Sequence, residues 1–307
     1  MKTIFILLFI ISSAAGNCQS LYINIFGDKE SKPIIFLHGG PGYNCANFEA
    51  TTAQKLSEKG FFVIVYDRRG EGRSTDANAK FTFEETFNDI NDIYDKYGLT
   101  SASFIAHSFG GIVGTLYSQK YPDKVNALFL TSAPVSLQES FKYILKTCED
   151  IYTAKNDSLN VKLIQSFEKM DTSSIQYSSS CFIQAMKNNF YSPKNRTEES
   201  KVIFNNLKSD SLYRYAGAMT IQAPLGFWKN ENYTTIDLTN SIKDLITKKV
   251  KVVGLYGKED GLYSAEQVSE LQKLIGTDNL IYFENCSHSV YIDRPSEFIE
   301  AVIERLK

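Results

Sequence analysis

The ten residues ASFIAHSFGG, numbered 102–111, decide the fold. The apolar run 102–106 predicts a buried strand, and residues 109–119 have the pattern of a helix. Ser108 then lies on the sharp turn between them, where the small residues Ala106 and Gly110 leave room for close packing. A serine between a strand and a helix is exposed at the carboxyl edge of a sheet, which is a suitable position for a nucleophile.

The same alternation of strand and helix recurs along the chain. A capping-box spacing, such as that of Ser264 and Gln267, marks the start of a helix, and Thr82 and Glu85 repeat it. Short apolar runs predict five further strands, at residues 33–37, 61–66, 127–131, 250–256 and 279–283. Strands that alternate with helices predict an α/β fold, with a mostly parallel sheet flanked by helices.

The alternation stops between about residues 136 and 249, where helical patterns follow one another without a clear buried strand. More than a hundred residues is too long for a simple loop in a compact domain. We therefore predict an inserted helical cap at 136–244 above a core formed by 18–135 and 245–307.

Composition excludes some classes of partner. The 307 residues are 43% hydrophobic, and 33 Lys and Arg against 35 Asp and Glu give a net charge of −2. This balance supplies no bulk attraction to nucleic acid or to an anionic membrane. We expect a small-molecule or peptide substrate, no nucleic-acid partner and no integral membrane span, and the oligomeric state stays open.

The N-terminus has the pattern of an export signal. Lys2 supplies a positive charge, residues 4–11 form an apolar run, and small residues follow at 12–16. This pattern predicts a signal peptide at 1–17 and a periplasmic or secreted protein. Lipid attachment at Cys18 is the second choice, and a buried first strand or helix is the alternative to a signal.

Export would place the other cysteines where disulfides form. Cys45, Cys148, Cys181 and Cys286 allow three pairings, and Cys148 with Cys181 is the preferred pair because both fall in the predicted cap. Four free thiols are the alternative. No pair of cysteines or histidines has the spacing of metal ligands, so we expect no metal and no cofactor.

Two residues late in the chain complete a catalytic set with Ser108. Asp260 follows the strand 250–256, and His288, one of only three histidines, follows the strand 279–283. The order serine, acid, histidine along the chain is that of a hydrolase triad on an α/β sheet. Glu259 is the competing acid.

A glycine-rich loop follows the strand 33–37 and reads His38-Gly39-Gly40-Pro41-Gly42. Such a loop allows close approach of the backbone to a ligand, and we predict that Gly39 lies against the substrate. The N–H groups of Gly40 and Phe109 are the predicted donors to an oxyanion. His38 is expected to brace this loop, and His107 to pack beside Ser108.

These motifs resemble the proline iminopeptidase group of α/β hydrolases. The segment 38–42 matches the group's His-Gly-Gly-Pro-Gly, and DRRGEGRS at 67–74 is similar to its Asp-x-Arg-Gly-x-Gly-x-Ser. The contexts of Ser108, Asp260 and His288 agree as well. The resemblance implies an α/β-hydrolase fold, and we expect the segment 67–74 to be an ion-paired loop that shapes the site.

The resemblance also implies release of an N-terminal residue, often proline, through an acyl-enzyme, with the free amine held by acidic groups of the cap. The chain departs from the group here, because its only Trp is Trp228, with Glu231 three residues on. These two are the predicted substrate-binding residues of the cap, and the other candidate acids are Glu149, Asp150 and Glu168. An esterase with the same triad is the alternative, and a ligand-binding protein without activity is the third hypothesis.

Overall fold

The computed structural model describes residues 21–307. Its single sheet has seven strands in the order β1-β3-β2-β4-β5-β6-β7, in which β1 is antiparallel to β3 and every other pair is parallel. The strands are β1 Ile23–Phe26, β2 Lys32–Leu37, β3 Phe61–Tyr66, β4 Ala102–His107, β5 Val125–Thr131, β6 Lys251–Gly257 and β7 Leu280–Phe283. The predicted mostly parallel sheet is confirmed.

Both faces of the sheet are buried, which explains why its strands are continuous apolar runs. Every residue of β3 and β4 is buried. Ile35 and Phe104 pack in an apolar cluster on one face, and Ile34 and Ile105 pack in a second cluster on the other. The sheet therefore separates two cores.

Strand β1 was missed by the sequence analysis. Its four residues are only half-buried and include the polar Asn24, whose side chain donates to Glu49. β1 lies at the edge of the sheet, and its side chains are only partly covered. It therefore lacks the continuous apolar run that marks the fully buried central strands.

Helices cover the sheet on both faces. The core helices are α1 Ala46–Phe48, α2 Gln54–Ser57, α3 Phe83–Tyr97 and α4 Phe109–Lys120, then α12 Ala265–Ile275, α13 Val290–Asp293 and α14 Pro295–Leu306, with a π-helical turn at Glu49–Ala53 and 3-10 turns at Pro122–Lys124 and Thr277–Asn279. The capping box of Ser264 and Gln267 is present. At α3 only one of the two capping-box hydrogen bonds forms, from the Glu85 N–H to the Thr82 hydroxyl. The Glu85 carboxylate accepts the N–H of Phe81 instead of the N–H of Thr82.

The segment between β5 and β6 is helical. It contains α5 Leu137–Ala154, α6 Ser158–Phe167, α7 Ile175–Lys187, α8 Glu198–Ser209, α9 Tyr213–Ala216, α10 Gln222–Glu231 and α11 Thr239–Thr247, with a 3-10 turn at Tyr233–Thr235. Helix α11 packs on α4 and β6 and buries Ile242 and Leu245. This helix spans the predicted boundary at 244, which stays a prediction.

All four cysteines in residues 21–307 are buried free thiols, so the preferred Cys148–Cys181 disulfide is wrong for this structure. The Cys148 sulfur accepts a hydrogen bond from Asn188 Nδ2 at 3.4 Å. Burial raises the pKa of Cys148 to about 11 and that of Cys181 to about 12, which keeps both protonated. Cysteine spacing could not reveal these environments.

The predicted signal peptide and Cys18 lie outside the described residues, and both stay predictions. From residue 21 onward, no helix has the length and apolar character needed to span a bilayer. The same residues hold no group of three His, Cys, Asp or Glu side chains placed to bind a metal ion.

Candidate active site

Ser108 lies on a tight elbow between β4 and α4. Its backbone has φ 51° and ψ −122°, an unusual conformation for a residue with a side chain. The Ser108 N–H donates to Thr131 O at 3.0 Å, and Ser108 O accepts from Gly111 N at 2.8 Å. A Cβ at Gly110, two residues after Ser108, would collide with the carbonyl of Leu37, so only glycine fits there. The predicted turn is therefore built by packing against β2.

His288 and Asp260 meet at the carboxyl edge of the sheet. Each follows its own strand, β7 and β6, and the His288 Nδ1 to Asp260 Oδ2 distance is 2.9 Å. Both residues are buried, and Asp260 Oδ1 accepts the N–H of Leu262 at 3.1 Å. The competing acid Glu259 instead accepts the N–H of Lys194. Asp260, and not Glu259, is therefore the carboxylate bonded to the His288 ring.

Tyr263 connects this pair with Ser108. Its hydroxyl donates to Ser132 O at 2.9 Å and also interacts with the Ser108 side chain. The Tyr263 ring centroid is 6.2 Å from that of His288. The structure thus brings Ser108, His288 and Asp260 to one edge of the sheet, around a tyrosine that lies three residues after Asp260 and that the sequence analysis missed.

The glycine-rich loop after β2 lies against the elbow. A Cβ at Gly39 would be 3.1 Å from Ser108 Cβ, and Gly40 has φ 120°, a conformation that favours glycine. Phe109 is the first residue of α4, so its N–H has no acceptor within the helix. The predicted oxyanion donors, Gly40 and Phe109, therefore belong to the two segments that meet at Ser108.

His38 braces this loop, as predicted. Its Nε2 accepts the N–H of Arg68 at 3.0 Å, and its Nδ1 lies 2.8 Å from Gly39 O. Burial, reinforced by the Arg68 charge, holds the pKa of His38 well below its usual range. A neutral ring has one donor and one acceptor, so we assign the proton to Nδ1, which donates to Gly39 O.

The buried ion pair of Arg68 and Glu71 holds the glycine-rich loop in place. Arg68 Nη2 donates to Gly39 O at 2.6 Å and to Glu71 Oε2 at 2.9 Å, and Glu71 Oε2 also accepts the N–H of Gly42 at 2.9 Å. Both side chains are almost fully buried. Burial raises the pKa of Glu71, while Arg68 opposes that rise. This is the ion-paired loop expected for the segment 67–74.

Asp67 extends the network toward the edge strand. Its carboxylate accepts the N–H of Cys45 at 2.8 Å and the Nε of Arg73 at 2.7 Å, and Arg73 Nη1 reaches Glu49 at 2.8 Å. Burial is the largest single effect and would raise the pKa of Asp67, but the hydrogen bond to Arg73, the charge of Arg73 and the other partners together outweigh it and lower that pKa. Asp67 therefore stays ionised as a structural anchor.

The cap also bonds to the glycine-rich loop. Thr220, in the segment between α9 and α10, donates its N–H to Gly42 O at 2.8 Å. Nearby, Asn44 Nδ2 donates to Tyr215 O at 2.7 Å. A Cβ at Gly42 would lie 2.7 Å from Thr220 O, so this close approach requires glycine.

The predicted substrate-binding residues of the cap have other partners. Trp228 Nε1 donates to Ser173 O at 2.8 Å, and Glu231 Oε1 accepts the N–H of Phe83 at 2.8 Å. Of the other candidate acids, Glu149 accepts from Gln165, Asp150 pairs with Lys146, and Glu168 is exposed. Within residues 21–307, none of these four carboxylates has a hydrogen bond or ion pair with Ser108, His288 or Asp260.

Aromatic side chains of the cap surround the elbow instead. The Phe109 ring centroid lies 5.0 Å from that of Phe227 and 5.4 Å from that of Tyr233. Tyr191 meets the His288 ring edge-on, with centroids 5.1 Å apart. No local motif marks these cap residues, because their contacts span long separations in the chain.

Asp293 holds the backbone beside His288 and was also missed. Its Oδ2 accepts the N–H of Ser287 at 2.9 Å, and its Oδ1 accepts from Arg196 Nη1 at 2.8 Å. Burial raises the pKa of Asp293 to about 6, against the opposing effects of these two partners. Arg196 lies in the cap, between α7 and α8, and Ser287 precedes His288. The Asp293 carboxylate therefore connects the cap with the loop that carries His288.

Comparison with known proteins places the chain among hydrolases. It is 31% identical over 127 residues to a proline iminopeptidase of Lactobacillus delbrueckii subsp. bulgaricus, a match that covers 39% of this chain and 42% of the relative. A proline iminopeptidase-related protein of Thermus thermophilus superposes with a TM-score of 0.67 at 22% identity, covering 93% of this chain and 92% of that one. An esterase from Exiguobacterium antarcticum gives a TM-score of 0.60 at 20% identity, covering 92% and 94%.

The predicted resemblance to proline iminopeptidases is confirmed at the level of sequence relatives. The two superpositions, both under 25% identity, establish the fold alone. The family described as alpha/beta hydrolase fold matches residues 32–295, which include the whole elbow and both strands that carry His288 and Asp260. The chain therefore belongs to the α/β-hydrolase family.

Proposed function

We propose that the protein is a serine hydrolase with Ser108 as nucleophile. The observation that carries this proposal is the 2.9 Å contact between His288 Nδ1 and Asp260 Oδ2 beside the Ser108 elbow. Asp260 holds the imidazole with its proton on Nδ1, which leaves Nε2 free to accept the proton of the serine hydroxyl. The acid stabilises the imidazolium that then forms.

The reaction proceeds through an acyl-enzyme. The Ser108 oxygen forms a bond to the carbonyl carbon while His288 takes the hydroxyl proton. His288 then gives this proton to the leaving group as its bond to carbon breaks, and water releases the acyl group by the same route. The N–H groups of Gly40 and Phe109 are the donors for the negative oxygen that develops on the carbonyl.

The leading substrate is a peptide from which an N-terminal proline or another small apolar residue is released. Relatives named proline iminopeptidase support this choice. The rings of Phe109, Phe227 and Tyr233 support it as well, because they pack together beside the elbow and make this side of the site apolar, as an apolar acyl group requires.

An esterase acting on small acyl esters is the second candidate. The observation in its favour is that Glu231 accepts the N–H of Phe83, and that Glu149 and Asp150 have partners within the cap. An ester does not require a carboxylate to bind a free amine, whereas an N-terminal substrate gains selectivity from one.

Turnover of proline arylamide and of short acyl nitrophenyl esters separates the two candidates. Hydrolysis of the ester alone would refute the peptidase. Ser108→Ala should lower kcat by at least about a thousandfold, with an unchanged circular dichroism spectrum. Ser179→Ala, on the exposed side of α7, is the matched control and should keep full activity. Activity in Ser108→Ala equal to that of the control would overturn the assignment of the nucleophile.

A further inference from the structure

A cavity of about 550 Å³ lies between residues of the cap and residues of the core. Its cap wall comes from α8, α9 and the segment that begins at Tyr191, and its core wall includes Asn47, Ser289 and Asp293. Tyr191 also contacts the His288 ring, and Ser289 is the next residue along the chain. Two residues of the cavity wall are therefore direct neighbours of the proposed base.

The position of the cavity relative to His288 indicates which part of a substrate it holds. In acyl transfer to a serine, the imidazole that activates the hydroxyl later protonates the leaving group. The leaving group must then lie beside His288 Nε2, whereas the acyl group stays on Ser108. A cavity whose wall includes Tyr191 and Ser289, two direct neighbours of His288, is thus placed for the leaving group, and its volume suits one or two amino-acid residues.

The charges on the cavity wall favour an anion. Arg214 lines the cavity, and its guanidinium lies 4.8 Å from the ring centroid of Tyr215. Across residues 21–307, no carboxylate forms an ion pair with Arg214. The other two charged groups of the wall, Arg196 and Asp293, neutralise each other at 2.8 Å. One positive charge is therefore left without an acidic partner.

Asn47 adds a polar group without a partner. Its Oδ1 atom is buried in the wall and has no hydrogen bond within the described part of the chain. An unpaired amide oxygen in a cavity wall costs free energy unless a ligand or water satisfies it. Since the two ends of an amide can be exchanged by rotation, the same side chain can also donate to a ligand oxygen.

We propose that this cavity binds the leaving-group half of the substrate and that Arg214 pairs with its carboxylate. This inference rests on the proposed function and specifies its substrate class. The preferred substrates are dipeptides and tripeptides, whose free C-terminal carboxylate lies close to the scissile bond. A guanidinium is suited to this role because it recognises a carboxylate with two parallel hydrogen bonds.

The test compares proline dipeptides with their C-terminal amides, which differ only in the charge of the leaving group. In the wild type, kcat/KM for the free acid should exceed that for the amide by roughly fivefold, the size of an exposed ion pair. In Arg214→Gln this ratio should fall to about one, and Arg214→Lys should retain part of it. Lys162→Gln, on the exposed side of α6, is the matched control and should leave the ratio and the rates unchanged.

A ratio near one in the wild type, or a ratio that Arg214→Gln leaves unchanged, would overturn the inference. The proposed function fails in a different way, because Ser108→Ala would then retain turnover or no substrate would be hydrolysed at all. If only esters are hydrolysed, acyl esters of phenol and of hydroxybenzoate provide the same comparison of neutral and anionic leaving groups.

Discussion

His107 Nε2 lies 3.1 Å from the backbone oxygen of His288, so the residue before the elbow serine is bonded to the backbone of the proposed base. Burial, with a smaller effect of His288, lowers the pKa of His107 to about 3. His107 is therefore neutral at physiological pH, and its Nε2–H is the donor. This bond connects the end of β4 with the loop after β7.

Replacement of His107 tests this connection. His107→Phe removes the donor and leaves a buried carbonyl unpaired, which should lower the free energy of unfolding by about 1 to 3 kcal/mol and lower kcat. His107→Gln places an amide N–H near the position of Nε2 and should retain more of both. Urea unfolding and arylamide or ester turnover measure the two effects. Equal losses in the two variants would show that the bond is unimportant.

Glu71→Ala tests the ion pair beneath the glycine-rich loop. The change leaves the buried Arg68 guanidinium without its carboxylate and should destabilise the protein by about 3 to 5 kcal/mol. Glu139→Ala breaks an exposed pair with Lys142 and is the control, with an expected effect of about 0.5 kcal/mol or less. Urea unfolding compares the two, and equal effects would contradict a structural role for Arg68 and Glu71.

Asp293 predicts a specific dependence of stability on pH. Its pKa is about 6 in the folded protein against an ordinary value of 3.8, so the folded state keeps a proton that the unfolded state has released. Its contribution to stability is therefore present below about pH 4 and is lost as the pH rises through 6. Asp293→Asn cannot titrate, so the stability of the wild type relative to this variant should fall by on the order of 2 kcal/mol between pH 4 and 7.

Urea unfolding of both proteins at several pH values measures this difference. A wild type that gains stability over Asp293→Asn as the pH rises would mean that pairing with Arg196 outweighs burial.

The elbow glycine provides a test of packing. Gly110→Ala would drive its Cβ into the carbonyl of Leu37, and we expect a loss of at least about 1 to 3 kcal/mol. Gly217→Ala is the control, because no atom lies within 4 Å of its Cβ position and its φ of −107° suits any residue. That variant should unfold within about 0.5 kcal/mol of the wild type. Similar thermal and urea unfolding of the two variants would refute the close approach of α4 to β2.

The central strands could be predicted because burial on both faces requires an unbroken apolar run, as at Phe61–Tyr66. The meeting of His288 with Asp260 followed from the same topology, since the carboxyl ends of parallel strands share one edge. Strand β1 could not be predicted in this way, because its four residues are only half-buried and the polar Asn24 interrupts the apolar pattern.

The cap was less predictable, because side-chain partners there are distant in sequence. Trp228 and Glu231 were chosen for residue type, yet their partners, Ser173 and Phe83, lie 55 and 148 residues away. Nothing in the local sequence indicates such pairings. The same holds for Cys148, whose bond to Asn188 depends on how α7 ends beside α5.

The hydrogen bond from Thr220 to Gly42 has a mechanical consequence. Gly42 belongs to the glycine-rich loop, which also contains Gly40, the proposed oxyanion donor. Thr220 belongs to the cap. Any displacement of this cap segment away from the core would therefore have to break the bond or shift the loop that carries Gly40, so the position of the cap and the geometry of the loop depend on each other.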